Sequence, residues 1–410
     1  MLAQLNISAQ ISPGIHPMYP NAPQRQLGRS SMRSVELFSG AGGLALGTAR
    51  AGFHHEVLIE WNAHACSTLR RNASHRLANQ WRVHEGDIAK FDFTSINPNV
   101  DLLAGGPPCQ PFSIGGKHRG MDDERNMFSQ YFRAVRTLRP RALVIENVRG
   151  LTRKAFSAFF EYVRLSLNFP EIIQTVDEDW VAHHQRLQKH YTSGRNHAGE
   201  LTYNVITRVI NAADYGVPQQ RWRVFFIGFR NDVPACWSFP DPTHSETALL
   251  HSKWVTGEYW EKHQIAKKHR PGRPTVLPLF DVEAKPWRTV RDALHDLPDP
   301  RSSSATGCLN HIFQDNAKSY IGHTGSSLDE PAKALKAGVH GVPGGENMIA
   351  YPDGSVRYFT VREAARIQTF PDDYAFSGPW TEGLRQLGNA VPVSVAETIA
   401  RGLAEHLRSA

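Results

Sequence analysis

The sequence VDLLAGGPPCQPFS, residues 100–113, decides the fold class of this 410-residue chain. Residues 100–104 are a short, mostly apolar run ended by glycine and proline, a pattern typical of a buried parallel strand. Open α/β sheets bind their ligands at the carboxyl ends of such strands. Because three prolines restrict the backbone around Cys109, we expect the loop to hold one thiol at the mouth of a sheet. A lone cysteine is more often a buried apolar residue, and only its neighbours favour a chemical role here.

Strand and helix patterns alternate on both sides of this stretch. Apolar runs predict strands at residues 35–38, 56–59, near 83, 100–104, 142–145, 203–210 and 223–229. Helical spacing of apolar residues predicts helices at 44–51, 63–72, 126–138, 154–168 and, after a loop at 388–392, at 394–408. The alternation predicts a doubly wound, mostly parallel α/β sheet of the Rossmann-like type, with the last two strands forming a hairpin at one edge. The polar, histidine-rich residues 183–197 are interpreted as a solvated insertion.

The composition divides the chain into an arm and two domains. Residues 1–33 show no periodicity, so we expect a disordered arm, or residues that precede a start at Met32. Residues 34–230 and 385–410 carry the α/β pattern and are expected to form a catalytic, cofactor-binding domain. Between them the helical periodicity fades and proline, tryptophan, histidine and lysine become frequent, which predicts a smaller second domain with a hinge at 231–384.

Charge and cysteine content limit the class of protein. A formal net charge of +7 and 20 histidines point modestly to a polyanionic partner. The four cysteines lie far apart without a CxxC pair, which argues against disulfides and against a zinc site, so we expect no metal. The N-terminus lacks a secretory signal pattern, and no run approaches the ~18 apolar residues of a membrane span. We therefore expect a soluble, cytoplasmic protein without membrane contact.

Small and acidic residues follow the first three predicted strands. Residues 38–43, FSGAGG, form a glycine-rich first turn that lacks the full GxGxxG pattern and by itself fits NAD, FAD, S-adenosylmethionine or tight packing. Glu60 stands where a ribose diol would be bound, and Trp61 beside it could stack on an adenine. Asp87 could accept a hydrogen bond from an exocyclic amine. Each residue alone could be a cap or a surface residue, but together they favour an adenosyl cofactor.

Two further groups point to chemistry on a substrate. Glu146 ends the strand beside the one that leads to Cys109, and in a pocket shielded from water its pKa is expected to rise, so that it can share a proton with a substrate nitrogen. The alternative is a capping or salt-bridged glutamate. Arg221 and Arg223 are two residues apart, on one face of a predicted strand. That spacing usually marks a solvated face, but here it opens an apolar strand and predicts a cationic face turned toward a ligand.

With these residues in place, the sequence resembles the DNA (cytosine-5) methyltransferases of bacterial restriction-modification systems. The resemblance extends from Val35 to Ala404 and rests on six blocks in the family's order, with no departure in the catalytic blocks. The blocks are FSGAGG (38–43), GPPCQPFS (106–113), ENV (146–148), QQRWR (219–223), REAARIQTFP (362–371) and GNAVP (388–392).

The resemblance implies a reaction and a set of site residues. It implies transfer of a methyl group from S-adenosylmethionine to C5 of a cytosine flipped out of duplex DNA, through a covalent adduct of the cysteine thiol with C6. The implied catalytic residues are Cys109, Glu146, Arg221 and Arg223. The implied cofactor-binding residues are Phe38, Gly40, Gly42, Glu60, Trp61, Asp87, Ile88, Pro107 and Asn389.

The DNA contacts are expected in two segments. Residues 113–125 have the composition of a mobile cationic lid. The family's variable recognition region falls between the QQRWR and REAARIQTFP blocks, and residues 322–347 there combine small residues with groups suited to base edges and phosphates. The expected DNA-binding residues are Ser113, Lys117, Arg119, His323, Thr324, Lys333, Lys336, Gly344 and Gly345. For the second segment, an ordinary glycine-rich surface loop is an equal alternative.

Other functions stay open at this point. An RNA cytosine-5 methyltransferase would share the fold, and transfer to duplex DNA against transfer RNA would distinguish the two. Intact Cys109, Glu146 and Arg223 argue against a non-catalytic DNA-binding relative, and the missing GxGxxG argues against an NAD oxidoreductase. We expect a monomer whose cognate restriction endonuclease acts on the same DNA without forming a stable complex with it.

Overall fold

The computed structural model describes residues 32–75, 81–108, 127–194, 199–234, 236–275, 277, 283–321, 323–338 and 347–410. Several predictions fall outside these residues: the arm up to residue 31, the loop 109–126, and the site residues Cys109, Ser113, Lys117, Arg119, Gly344 and Gly345.

A seven-stranded sheet forms the centre of the protein, in the order β3-β2-β1-β4-β5-β8-β6. Its strands are β1 Met32–Leu37, β2 Phe53–Glu60, β3 Val83–Glu85, β4 Leu102–Gly105, β5 Ala142–Val148, β6 Tyr203–Asn211 and β8 Trp222–Arg230, with the short β7 Gln219–Gln220 just before β8. Strands β1 to β5 are parallel to one another, whereas β8 runs antiparallel to both β5 and β6. The predicted fold class and edge hairpin are confirmed, although β1 begins at Met32, earlier than predicted.

Helices cover both faces of the sheet because its inner strands are apolar on both sides. The helices are α1 Gly43–Arg50, α2 Ala63–Arg71, α3 Phe128–Leu138, α4 Ser157–Asn168, α5 Trp180–Tyr191 and α11 Val393–Ser409. Alternate residues of β4 and β5 point to opposite faces: Leu103 joins the core under α3 and α4, whereas Ala104 joins the core under α11. The phenol of Tyr131 in α3 ties the two strands together by donating to the carbonyls of Leu103 and Val144, at 2.9 and 3.0 Å.

The interpretation of residues 183–197 as a solvated insertion is wrong for residues 183–191, which belong to helix α5, while residues 195–197 lie outside the described part of the chain. Helix α5 begins after Asp179, whose carboxylate accepts from the Ala182 amide at 2.7 Å, and it packs against α4. His183 is buried because both ring nitrogens have partners: Nε2 donates to the carbonyl of Ile172 at 2.8 Å, and Nδ1 accepts from the Tyr162 hydroxyl at 3.1 Å. A segment with a polar, histidine-rich composition can therefore form a packed helix.

The chain between β8 and α11 forms short elements. The strands are β9 His244–Ser245, β10 Lys285–Pro286, β11 Ser326–Ser327, β12 Ala332–Lys333, β13 Met348–Ala350 and β14 Val356–Tyr358, and the helices are α6 Glu246–His251, α7 Glu258–Lys262, α8 Val290–Leu294, α9 Val361–Ile367 and α10 Trp380–Asn389. Helices α8 and α9 begin at capping boxes headed by Thr289 and Thr360. Helix α10 extends to Asn389, where the sequence predicted a loop. The division into two domains stays a prediction.

Three further observations concern the described part of the chain alone. No helix there is long and apolar enough to cross a membrane. No group of three or more histidine, cysteine, aspartate or glutamate side chains is arranged to hold a metal ion. The three cysteines described, Cys66, Cys236 and Cys308, are free thiols.

Candidate functional site

Two glycines in the turn between β1 and α1, Gly40 and Gly42, have different surroundings. Phe38, Gly40 and Gly42 all have positive φ, at 56°, 53° and 83°. A Cβ on Gly40 would meet no atom within 4 Å, whereas one on Gly42 would come within 2.8 Å of the Leu69 side chain and 2.9 Å of the Tyr374 hydroxyl. Gly42 is therefore required for packing, while Gly40 borders open space at the carboxyl end of β1. Phe38, a non-glycine residue in the left-handed region, is strained, as residues at functional sites often are.

The carboxylate of Glu60 is fixed against this turn. It accepts hydrogen bonds from the main-chain amides of Gly40 at 2.8 Å, Trp61 at 3.0 Å and Asn62 at 2.8 Å. An ionised carboxylate has about four acceptor positions, so three amides leave capacity for one more donor. The Trp61 side chain beside it is 80% exposed. A free acceptor and an exposed aromatic ring next to Gly40 fit a ribose and an adenine.

The other predicted cofactor residues occupy the ends of neighbouring elements. Asp87 follows β3 and is exposed, and its carboxylate caps a short helical turn by accepting from the Ala89 amide at 2.9 Å. Ile88 and Pro107 are buried, and Asn389 is exposed at the end of α10. Their contact with a cofactor stays a prediction.

The residues that lead to Cys109 are fastened to the end of β5. The amide of Asn147 donates to the carbonyl of Pro107 at 3.1 Å. A Cβ on Gly106 would lie 3.2 Å from Oε2 of Glu146, so the main chain passes directly by this carboxylate. The two strand ends predicted to share chemistry are therefore in contact up to Pro107.

Glu146 forms an ion pair with Arg223. Nε of Arg223 lies 2.7 Å from Oε1 of Glu146, and the side chains are 17% and 10% exposed, respectively. The pair follows from strand register: Val148 of β5 lies opposite Arg223 of β8, so Glu146, two residues earlier, points to the same face. The salt-bridged glutamate considered from the sequence is thus observed, at the carboxyl end of β5.

Arg221 interacts electrostatically with Arg223 and Glu146 but is buried among protein groups, so its predicted contact with a ligand stays a prediction. Its side chain is 1% exposed, and its guanidinium donates to the carbonyls of Leu335 at 3.1 Å and Gly388 at 2.7 Å. No carboxylate forms an ion pair with Arg221 within the part of the chain described, and burial lowers its pKa well below the ordinary value.

A family model for C-5 cytosine-specific DNA methylases matches residues 32–178 and 182–405. The chain belongs to this family. It is 31% identical over 375 residues to the type II methyltransferase M.Eco47II of Escherichia coli, covering 90% of this chain and 78% of that protein. It is also 31% identical to the type II methyltransferase M.NgoMIV of Neisseria gonorrhoeae, covering 92% of this chain and 98% of that protein. The family resemblance drawn from the six sequence blocks is confirmed.

Solved structures share the fold of this DNA methylase. A prophage-encoded protein of Escherichia coli, described as a DNA modification methyltransferase, gives a TM-score of 0.55 at 24% identity and covers 92% of this chain and 100% of its own. The Dnmt2 methyltransferase of S. pombe gives a TM-score of 0.53 at 18% identity, covering 91% and 98%. At these identities the structures support the fold.

The methylase contains a buried network of hydrogen bonds, the clamp formed by Gln219, Gln368 and Arg221, that the sequence analysis did not predict. The side-chain amide of Gln219 accepts from the Leu335 amide at 2.9 Å and donates to Gln368 at 3.1 Å, and Gln368 in turn donates to the Ala390 carbonyl at 3.2 Å. Gln219 and Gln368 are fully buried. Both stand in two of the six family blocks, which was the available signal. With Arg221, they hold the main chain near Leu335 between β8 and the end of α10.

This clamp fixes the base of the predicted recognition segment. Strand β12 pairs in parallel with β7, aligning Lys333 with Gln220. The Lys333 ammonium donates to the Thr324 hydroxyl at 2.7 Å, so the structure brings these two predicted DNA-binding residues together. Lys336 is exposed, and its main chain bonds with the Asn347 side chain at 3.1 and 2.9 Å. His323 lies in a backbone bridge with Tyr320.

Proposed function

We propose that this chain methylates C5 of a cytosine flipped out of duplex DNA, using S-adenosylmethionine, as the modification enzyme of a restriction-modification system. As a member of its family, the protein is a DNA (cytosine-5) methyltransferase. The observation that carries the finer proposal is the Glu146–Arg223 ion pair beside the main chain that leads to Cys109. A carboxyl, a guanidinium and a thiol are the three groups this chemistry needs. We further propose a cytoplasmic monomer whose cognate endonuclease recognises the same sites separately.

The residues around the first turn fit S-adenosylmethionine. Gly40 leaves space where a side chain would otherwise stand, Glu60 retains capacity for a hydroxyl donor, and Trp61 offers an exposed ring. Asp87, Ile88 and Asn389 would complete the adenosyl site, with Phe38, Gly42 and Pro107 shaping its walls. When bound, the cofactor supplies an electrophilic methyl group next to the substrate base.

The protein's own groups would activate the base. Carbon 5 of cytosine is a weak nucleophile, so we propose that the Cys109 thiolate adds to C6 and makes C5 enamine-like. Glu146 would share a proton with N3 as charge develops on the ring, and Arg223 would donate to O2. After methylation, loss of the C5 proton and expulsion of the thiolate restore the cysteine and the aromatic ring. A thiol suits this cycle because it adds well and leaves well.

Arg221 enters this proposal as a positioning residue. Its two terminal nitrogens donate to the carbonyls of Leu335 and Gly388, which supports a role in aligning β8 and the recognition segment around the base. The family resemblance implies a catalytic role at this position, but the burial of Arg221 favours support of Arg223 over direct contact with the cytosine.

A trapping experiment tests the proposed function. Duplex DNA with 5-fluorocytosine at the target should form a covalent complex in the presence of S-adenosylmethionine, because fluorine cannot leave as a proton does. Cys109→Ser should form no complex and transfer no methyl group, while Cys236→Ser, a matched change at an exposed free thiol, should retain both. Turnover by Cys109→Ser above a vector-only control would contradict the nucleophile assignment. Methylation of transfer RNA in place of duplex DNA would instead assign the substrate to RNA, and bisulfite sequencing of host DNA would identify the site.

A further inference from the structure

Arg149 and Trp222 form an exposed cation–π pair at the carboxyl end of β5. The Arg149 guanidinium lies 5.3 Å from the centroid of the Trp222 ring, and Trp222 is 43% exposed. The register of β5 and β8 brings the two residues close together. Val148, the last residue of β5, lies opposite Arg223; Arg149 follows Val148 in a short helical turn, and Trp222 precedes Arg223 in β8.

The pair lies at the same edge of the sheet as the proposed catalytic residues. Trp222 directly precedes Arg223, and Arg149 lies three residues after Glu146. Because side chains alternate along β8, Trp222 is on the face of Val224, which α3 and α4 cover, and Arg223 is on the opposite face with Phe225. A duplex whose flipped base reaches Glu146 would extend past the carboxyl edge of the sheet toward both of its faces.

Among the residues that the structure describes, none accepts a hydrogen bond from the Arg149 side chain. Its guanidinium has no hydrogen bond or ion pair in the described part of the chain, whereas Arg139, also exposed, pairs with Glu171 at 2.6 Å and Arg186 pairs with Glu178 at 2.7 Å. A cation–π contact uses none of the five N–H donors of a guanidinium as a conventional hydrogen bond, so these donors stay available for an anion. An exposed cation–π contact contributes about 0.5–1 kcal/mol and restricts the side chain, so less freedom is lost when an anion binds.

Two further cations follow in the same segment. Arg153 and Lys154 are exposed, and neither side chain has a hydrogen-bond or ion-pair partner among the residues described. Three unpaired positive charges thus directly follow the strand that supplies Glu146. The planar fork of an arginine matches the oxygens of a phosphate, and phosphates are the anions present at high density in duplex DNA.

We propose that Arg149, held by Trp222, binds a backbone phosphate of the DNA strand beside the target cytosine. This inference rests on the proposed function, because it takes duplex DNA as the substrate. The phosphate contact carries no sequence information, so it acts on affinity and register and leaves the choice of base to the recognition segment. Arg153 and Lys154 add charge along the same path.

Salt-dependent binding tests the proposal. Fluorescence anisotropy would measure the Kd of cognate and unrelated duplexes at about 50 to 200 mM salt. Arg149→Ala should weaken binding to both duplexes alike and lower the slope of log Kd against log salt by about 1, the value for one lost phosphate contact. Arg139→Ala is the matched control, since that arginine is exposed but already paired with Glu171. Its slope should equal that of the unchanged protein.

A double-mutant cycle tests the role of the ring. Trp222→Ala should lose part of the same affinity, Trp222→Phe should retain most of it, and Trp222→Ala should add little in the Arg149→Ala background. An unchanged salt slope in Arg149→Ala, or equal changes in Arg139→Ala, would overturn the proposal. If the unchanged enzyme methylates DNA while Arg149→Ala binds normally, only this inference fails. If the unchanged enzyme neither methylates nor forms the 5-fluorocytosine complex, the proposed function fails instead.

Discussion

Arg223 and Glu146 form an ion pair, with Nε 2.7 Å from Oε1, that joins the last parallel strand of the sheet to the antiparallel strand beside it. The pair keeps a guanidinium and a carboxylate in one place without a substrate. Both side chains are mostly buried, so each would be costly to leave without the other. Because the Glu146 carboxylate and the Arg223 guanidinium are already held in position, they need little reorganisation when a base enters the site.

The first prediction concerns Glu146. Glu146→Gln keeps the size of the side chain but removes the group proposed to share a proton with N3. We expect the single-turnover rate of methyl transfer to fall by ~10² to 10⁴, the usual contribution of a general acid or base. Calorimetric affinity for S-adenosylmethionine should not change, because Glu60 and not Glu146 lies at the first turn. A loss of tenfold or less would assign Glu146 to structure alone.

The second prediction concerns Arg221. Lysine keeps the charge but has one nitrogen where Arg221 uses two separate ones to reach Leu335 and Gly388, so we expect one carbonyl to lose its partner; a buried acceptor left unpaired costs about 1–3 kcal/mol. We expect Arg221→Lys to lower the free energy of unfolding by that amount, to raise the KM for DNA and to lower kcat. Arg141→Lys is the control, since Arg141 also bonds to a distant carbonyl, that of Leu407. Equal kinetic effects of the two changes would contradict a positioning role for Arg221.

The sequence predicted those features of the fold and of the site that depend on local patterns of residues. The strands at the centre of the sheet follow from short apolar runs, and Glu60 and Glu146 were placed because the residue after a parallel strand faces the ligand edge. The sequence did not predict the burial of Arg221, because the carbonyls that its guanidinium binds lie 114 and 167 residues away in the chain. The same holds for Gln219, whose partner Gln368 is 149 residues away. The spacing of residues within a short segment cannot reveal contacts with such distant residues.

The helix at Trp180–Tyr191 was missed for a different reason. Its histidines lower the apparent hydrophobicity of a segment that packs against α4. A buried imidazole costs little when both nitrogens have partners, as those of His183 do. Composition alone cannot distinguish such a residue from a solvated one, because the partners Tyr162 and Ile172 become neighbours only in the folded chain.

The third prediction separates cofactor binding from packing in the first turn. Gly40→Ala adds a methyl group toward open space, whereas Gly42→Ala forces contact with Leu69 and Tyr374. Both changes should lower the free energy of unfolding by about 1–2 kcal/mol, because alanine is strained in the left-handed region. Gly42→Ala should lower it by about 1–3 kcal/mol more, because the added methyl group overpacks the core. We expect Gly40→Ala to weaken S-adenosylmethionine binding beyond its effect on the free energy of unfolding. Gly354→Ala is the control, because Gly354 also has positive φ and open space but lies in the β13–β14 turn. Equal cofactor affinity in Gly40→Ala and Gly354→Ala would contradict the site.

The fourth prediction is a pH dependence of stability. Burial lowers the pKa of His55 to about 4, against about 6.5 in an unfolded chain. Between these values the unfolded state binds a proton that the native state does not, so stability is fully present above about pH 6.5 and decreases as the pH falls toward 4. His55→Gln should shrink the difference in free energy of unfolding between pH 7 and pH 5 by about 2 kcal/mol. The exposed His269→Gln serves as control, and an unaltered difference in His55→Gln would contradict the prediction.

The last prediction concerns the bases that are read. Strand β12 pairs with β7, and Gln219 and Arg221 bond to the main chain of Leu335, so the recognition segment is attached through its backbone. Side chains there can change without loss of the attachment. We therefore expect that replacing residues 232–361 with the corresponding region of a relative that has another target will transfer the new specificity to this enzyme. Lys333→Ala, which also releases Thr324, should weaken binding to all sequences alike and lower the salt slope by about 1. Methylation assays on plasmids carrying both target sites distinguish the outcomes: a chimera that still methylates the original sequence would show that the recognised bases are contacted outside 232–361.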